Sequence, residues 1–118
     1  MEYIHIRSLE RYHPGITSEA HLEKYIIKNW KIFFTFDYYA TRLKISKRSI
    51  VDLVGVDDNS FYLIELKFRP IRHKDELQVR RYRRDFIKTC PSKPVKTILI
   101  GYNQMSQHIE VKTCNIFM

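Results

Sequence analysis

The stretch from Arg48 to Phe68 carries one carboxylate in each of two otherwise apolar arms. The first arm ends Ile50-Val51-Asp52-Leu53-Val54-Gly55-Val56, and the second reads Phe61-Tyr62-Leu63-Ile64-Glu65-Leu66-Lys67-Phe68. Asp57-Asp58-Asn59-Ser60 between them is turn chemistry, so the pattern predicts a β-hairpin. Asp52 and Glu65 stand about equally far from the middle of that turn, which places them near each other on neighbouring strands. Glu65 and Lys67 are two apart and project from the same face of their strand. A lone charge in an apolar run is costly. Two acids and a lysine on one face would make a divalent-metal site with a cation beside it.

The rest of the chain is organised around this hairpin. Its 118 residues, 44% hydrophobic and 14% aromatic, support one domain with a core, over residues 1 to 118. Residues 1 to 7 alternate apolar and polar, as a strand or packed arm would, and His13-Pro14-Gly15 breaks the chain. Thr17 or Ser18 offers an N-cap for a helix from Ser18 to about Trp30, with room for one turn more. Residues 33 to 39 and 41 to 45 read as strand or strand-turn. After the hairpin and Pro70, a long helix is expected from His73 or Lys74 to Thr89. Cys90 to Pro94 is a linker, Val95 to Tyr102 a buried strand, and Ile109 to Phe117 a last strand, with room for a short helix before it.

Both helices carry charge that the pattern must explain. In the first, Leu22, Ile26 and Trp30 form an apolar stripe, with Glu19 near its centre and Glu23 at its edge. Glu19 either complements the helix dipole from the first turn or serves a metal site. In the second, Val79, Tyr82 and Phe86 define the inward face, and Gln78 sits one turn before Tyr82 on its flank. Arg80, Arg84 and Lys88 line the opposite side with Arg81 nearby, a solvated face or a phosphate-backbone contact surface.

Composition narrows the class. A net charge of +8 suits a protein that neutralises phosphates, though soluble proteins can also be basic. Cys90 and Cys114 are too few and too far apart for a zinc site or disulfide framework, and read as free thiols in a reducing compartment. No pair among His5, His13, His21, His73 and His108 has metal-ligand spacing. No segment approaches the roughly 20 apolar residues of a membrane span, and the charged N-terminus is unlike a leader. The sequence predicts a soluble intracellular (cytoplasmic) protein with no membrane association and no small-molecule cofactor.

Asp52, Glu65-Leu66-Lys67, Glu19 and the Gln78-x-x-x-Tyr82 pair together resemble the PD-(D/E)xK nuclease superfamily. More narrowly, the chain resembles the nuclease domain of the NucS/EndoMS endonucleases of archaea and actinobacteria. The matching elements, in order, are Ser18-Glu19, Leu22-Glu23, Val51-Asp52-Leu53, Asp57, Glu65-Leu66-Lys67 and Gln78-x-x-x-Tyr82, within about residues 17 to 90. Arg48-Ser49 stands where the family has a glycine shortly before the aspartate, and these 118 residues hold no counterpart of its N-terminal DNA-binding and dimerising domain.

The resemblance implies an α/β fold with a restriction-endonuclease-like core, a central mixed β-sheet flanked by helices. It also implies a metal-dependent DNA endonuclease, of use in DNA repair, acting on branched, mismatched or single-stranded DNA. Asp52, Glu65 and the Leu66 carbonyl would bind Mg²⁺ or Mn²⁺, and Glu19 would bind it directly or through water. Lys67 would orient the attacking water or stabilise the phosphoryl charge, with Gln78 and Tyr82 steadying it. Arg80, Arg81, Arg84 and Lys88 would meet the DNA backbone. Alternatives are a Holliday-junction resolvase-type nuclease, a DNA-binding or nuclease subunit of a larger complex with little activity alone, and a catalytically silent nucleic-acid-binding protein on the same fold. A homodimer is expected, built on Phe33, Phe34, Phe36, Tyr38 and Tyr39 or on the C-terminal strand.

Overall fold

A computed structural model describes residues 6–114. The elements in order are β1 (Glu10–Tyr12), α1 (Glu19–Lys28), α2 (Trp30–Phe33), β2 (Asp37–Ser46), β3 (Ser49–Val56), β4 (Phe61–Lys67), α3 (His73–Thr89), β5 (Val95–Asn103) and β6 (His108–Cys114). The six strands form one sheet in the order β1-β6-β5-β4-β3-β2. Among the described residues only β4 and β5 run parallel, and α3 is the crossover that such a pair requires. The fold is α/β, a mixed sheet flanked by helices.

The expected hairpin is β3–β4, paired antiparallel with Leu53 across from Ile64 and Val56 across from Phe61. Asp57 closes its turn: Oδ1 accepts the N–H groups of Asn59 and Ser60, each at 2.8 Å, and Oδ2 accepts the Tyr62 hydroxyl at 2.6 Å. Alternation along β4 then divides two cores. Tyr62, Ile64 and Leu66 pack with Leu22, Ile26, Trp30 and Phe33 of α1 and α2. Leu63 packs with Tyr82 and Phe86 of α3. Gly55 gives Phe36 room to stack on Tyr62, since a Cβ there would lie 2.3 Å from the Phe36 ring.

Several expectations change. The first helix breaks at Asn29, so the extra turn is a separate short α2; the Trp30 indole N–H bonds the Phe36 carbonyl at 2.8 Å and turns the chain into β2. Residues 37–46 form one strand rather than two segments, with pairing irregularities between Tyr38 and Ala40 and between Lys44 and Ser46. A turn joins β5 to β6 where a short helix was allowed for: Asn103 Oδ1 accepts the N–H groups of Met105 and Ser106. The short β1, which pairs with β6, has too few residues to show a period and was not anticipated. Of the proposed N-terminal arm, Ile6 bridges to Phe34, and residues 1–5 lie outside the described part, as do residues 115–117 of the expected last strand. Phe33, Phe34 and Phe36 are fully buried in the core, so of the aromatic residues assigned to a dimer surface only Tyr38 and Tyr39 are exposed.

Candidate active site

The two acids meet where β3 and β4 separate. The ladder ends at Leu53–Ile64, and one step further Asp52 faces Glu65. There Asp52 Oδ2 accepts the Leu66 N–H at 2.8 Å, replacing a main-chain acceptor with a carboxylate. A strand residue directs its N–H and C=O to the same neighbouring strand, so the Leu66 carbonyl also points toward Asp52. Glu65 is 5% exposed, and its Oε1 is buried without a hydrogen-bond partner among the described residues. Lys67 Nζ lies 3.4 Å from Glu65 Oε2. Burial, then the adjacent Asp52 carboxylate, pushes the Glu65 carboxyl up to about 8, against a smaller opposing pull from Lys67.

Ser18, one of the two expected caps, caps α1, its Oγ accepting the His21 N–H at 3.0 Å. The helical phase of the two α1 acids is the reverse of the expectation. Glu23 is buried and paired with Arg42 at 2.9 Å, whereas Glu19 is exposed on the first turn. A stripe drawn on apolar residues alone cannot foresee that an arginine from β2 draws Glu23 inward. The Glu19 carboxyl is nonetheless raised, by desolvation first and then by Asp52, with Lys67 opposing. It therefore lies within electrostatic reach of the two strand residues.

Gln78 and Tyr82 behave as a pair on α3, Gln78 Nε2 donating to the Tyr82 hydroxyl at 2.7 Å. Burial raises the Tyr82 phenol, and the Glu65 charge adds to this, which ties the pair to the acid site. The cationic stripe divides. Arg81 and Arg84 line a cleft of about 510 Å³ together with Lys67, Arg69, Lys74 and Gln78. The expectation that Arg84 faces away from Gln78 is thus corrected. Arg80 is exposed but acts electrostatically on Cys114 of β6, on the other flank of the helix. Lys88 is exposed near the last turn, and Arg83 is structural, donating to the Val95 carbonyl at 2.9 Å.

One polar device went unforeseen. Arg69 grips Asp75 with both terminal guanidinium nitrogens, Nη1 at 2.8 Å and Nη2 at 2.7 Å, and Asp75 also accepts the Arg72 N–H at 2.8 Å. Asp75 is 1% exposed, and Arg69 holds its carboxyl below the usual carboxylate range. The signal was present as an acid at the third position of a helix, where it can cap the first turn. Gly101 lets this segment cross β5 closely, since a Cβ there would lie 2.8 Å from the Arg69 carbonyl oxygen.

The donor set fits a hard divalent cation. Two carboxylates side by side, one with an orphaned buried oxygen, form a centre of negative charge that the protein compensates only in part. Among the described residues no three His, Cys, Asp or Glu side chains gather closely enough to hold a metal by themselves. Asp52, Glu65 and Leu66 belong to the parted strands β3 and β4, whereas Glu19 comes from the first turn of α1.

No family model matches the sequence, and no curated protein does either. Solved structures do match. The structure of an EndoMS complex with double-stranded DNA superposes with a TM-score of 0.60 at 25% identity, over 70% of this chain and 34% of that one. A repair endonuclease from Pyrococcus abyssi gives 0.61 and 26%, over 77% of this chain and 40% of that one. A six-stranded mixed sheet flanked by helices, with Asp52, Glu65 and Lys67 where its central strands part, is the α/β fold of these nucleases. More narrowly, it is the NucS-like nuclease fold. The chain spans between about a third and two-fifths of the length of these two endonucleases. Among the described residues, no helix is long and apolar enough to cross a membrane.

Proposed function

We propose that this protein is a metal-dependent nuclease that hydrolyses phosphodiester bonds in DNA. The observation that carries the reading is the buried Glu65 Oε1 beside Asp52, without a hydrogen-bond partner among the described residues, with Lys67 Nζ 3.4 Å from the other Glu65 oxygen. Similarity to a repair endonuclease and to a DNA-bound EndoMS supports it. Asp52, Glu65 and the Leu66 carbonyl would hold Mg²⁺ or Mn²⁺. Such a cation supplies Lewis-acid polarisation of the phosphodiester and activation of the attacking water.

The chain's own residues do the rest. Lys67, kept at the site by Glu65, stabilises negative charge that grows on the phosphoryl oxygens. Glu19 orients water from the α1 side, and the Gln78–Tyr82 pair holds the inner wall of the cleft in one arrangement. Arg81, Arg84 and Lys74 neutralise the backbone that enters the cleft. A homodimer belongs to this reading, resting on exposed Tyr38 and Tyr39 of edge strand β2; a monomeric mass by light scattering at micromolar concentration overturns that part.

The test is cleavage of single-stranded, flapped, mismatched and four-way DNA by the purified protein with Mg²⁺, Mn²⁺ or EDTA. Cleavage that needs the divalent ion and disappears in Asp52→Asn is expected; cleavage in EDTA, or none on any substrate, overturns the proposal.

A further inference from the structure

Arg42 occupies an unusual place in β2. The ladder pairs Thr41 with Leu53 and Leu43 with Val51, so Arg42 stands across from Asp52, on the strand beside the proposed metal carboxylate. Residues directly opposite on paired strands normally project from the same face, and a cation there would close on Asp52. Arg42 instead has φ 51, a left-handed conformation in the middle of a strand. A residue with a side chain adopts it only against steric strain. The turn of the backbone carries the guanidinium to Glu23 of α1, where Nη2 meets Oε2 at 2.9 Å. The Glu23 side chain is 12% exposed and the Arg42 side chain 63% exposed, so the acid is a buried anchor and the guanidinium reaches outward. Its charge still acts on Glu19, whose carboxyl Asp52 and Lys67 also influence.

We propose that Arg42 is a phosphate-binding residue that grips the DNA strand at the catalytic cleft from the α1 side, facing the cations of α3. The strained backbone at once keeps Asp52 free of an arginine partner and presents the guanidinium at the rim. Guanidinium has five N–H donors; with Glu23 taking one at Nη2, the fork retains donors suited to two phosphate oxygens. Glu23 fixes its direction, so less side-chain freedom is lost when phosphate binds. Backbone strain retained next to a reactive centre is the relationship expected of a functional residue. The inference rests on the nuclease reading and adds a second bank to the substrate path.

The experiment uses the full chain with Arg42→Gly and Arg42→Asn, both of which tolerate a left-handed backbone. DNA binding is measured by fluorescence anisotropy against KCl concentration in the Asp52→Asn background, and KM and kcat in the active background. The proposal expects the salt dependence to shallow by about one unit. It also expects KM to rise about tenfold, or about 1.4 kcal/mol, while kcat falls much less. Unchanged salt slope and KM in folded variants would make the pair a plain structural tie. Loss of cooperative melting in both variants would assign Arg42 to the fold and overturn the proposal equally. Wild-type protein that binds DNA but cuts none defeats the nuclease reading alone, since the salt slope still reports on Arg42.

Discussion

Asp52 faces Glu65 one step beyond the last paired residues of β3 and β4, and that step sets two carboxylates side by side where the hairpin parts. Had the ladder continued, a main-chain carbonyl would have taken the Leu66 N–H; Asp52 takes it instead. Glu65 is then left in a buried position against a second carboxylate, where it favours a proton unless a cation is supplied.

A pH dependence of stability follows. Glu65 has its carboxyl raised from 4.5 to about 8 on folding, so the metal-free folded chain binds the extra proton. The stabilisation is fully present below about 4.5 and is lost as pH rises toward about 8. The loss is on the order of a few kcal/mol. Glu65→Gln should flatten this decline and raise the melting temperature of metal-free protein at pH 8 by roughly 5 °C or more. Mn²⁺ should stabilise the wild type more at pH 8 than at pH 6, and Glu65→Gln hardly at all. Thermal melts across pH with EDTA or Mn²⁺ measure all three; a wild-type profile that rises from pH 5 to pH 8 would contradict the assignment.

Substitutions at Asp52 separate its two tasks. Asp52→Asn retains an oxygen acceptor for the Leu66 N–H, while Asp52→Ala does not. Leaving that amide unpaired costs about 1–3 kcal/mol if it is shut off from water. Both variants should lose cleavage by at least about a thousandfold, the scale of removing a principal electrostatic group. Only Asp52→Ala should also melt lower. Binding of DNA should survive or tighten in both, since a negative charge is removed. Lys67→Met should match them in lost turnover with the fold intact, as checked by circular dichroism beside single-turnover cleavage.

Local pattern made much of this legible. The hairpin, the capped α1, the span of α3 and the buried β5 came from periodicities and caps that act within a few residues. Asp52, Glu65 and Lys67 were legible because charges interrupt apolar runs at mirrored positions about a turn. What escaped depends on partners distant in sequence. Glu23 is turned inward by Arg42, Asp75 by Arg69, and Phe33, Phe34 and Phe36 are covered by packing against Tyr62 and the sheet rather than by a second copy. A wheel drawn for α3 alone also could not reveal that Arg84 shares a cleft with Gln78, because strand-borne Lys67 and Arg69 complete its wall.

Arg69 and Asp75 should be the most sensitive pair outside the acid site. Asp75 is buried and bonded to Arg69 twice and to the Arg72 N–H, so Asp75→Ala strands several donors at once. Breaking a buried pair costs about 3–5 kcal/mol, and the partial exposure of Arg69 places the expected loss at or below about 3. With the Asp75 carboxyl held low, its contribution is present above about 3.8 and declines as pH falls below that. Urea melts at pH 7 check the magnitude. A change under about 0.5 kcal/mol, the range of an ordinary surface substitution, would show that the crossing of β5 is held by other contacts.

The divided stripe on α3 gives the sharpest comparison for DNA binding. Arg81 and Arg84 share the cleft with Lys67 and Gln78, whereas Arg80 leans toward β6. Arg81→Ala with Arg84→Ala should therefore weaken binding to all sequences alike and shallow the salt dependence by about two units. Arg80→Ala should change it by much less than one unit. Neither set should lower kcat at saturating DNA as much as Gln78→Ala or Tyr82→Phe, which disturb the 2.7 Å bond lining the inner wall. Anisotropy titrations at several KCl concentrations, with single-turnover rates alongside, resolve the two effects. An Arg80 effect equal to that of the Arg81–Arg84 pair would mean that DNA crosses the helix toward β6 rather than entering the cleft.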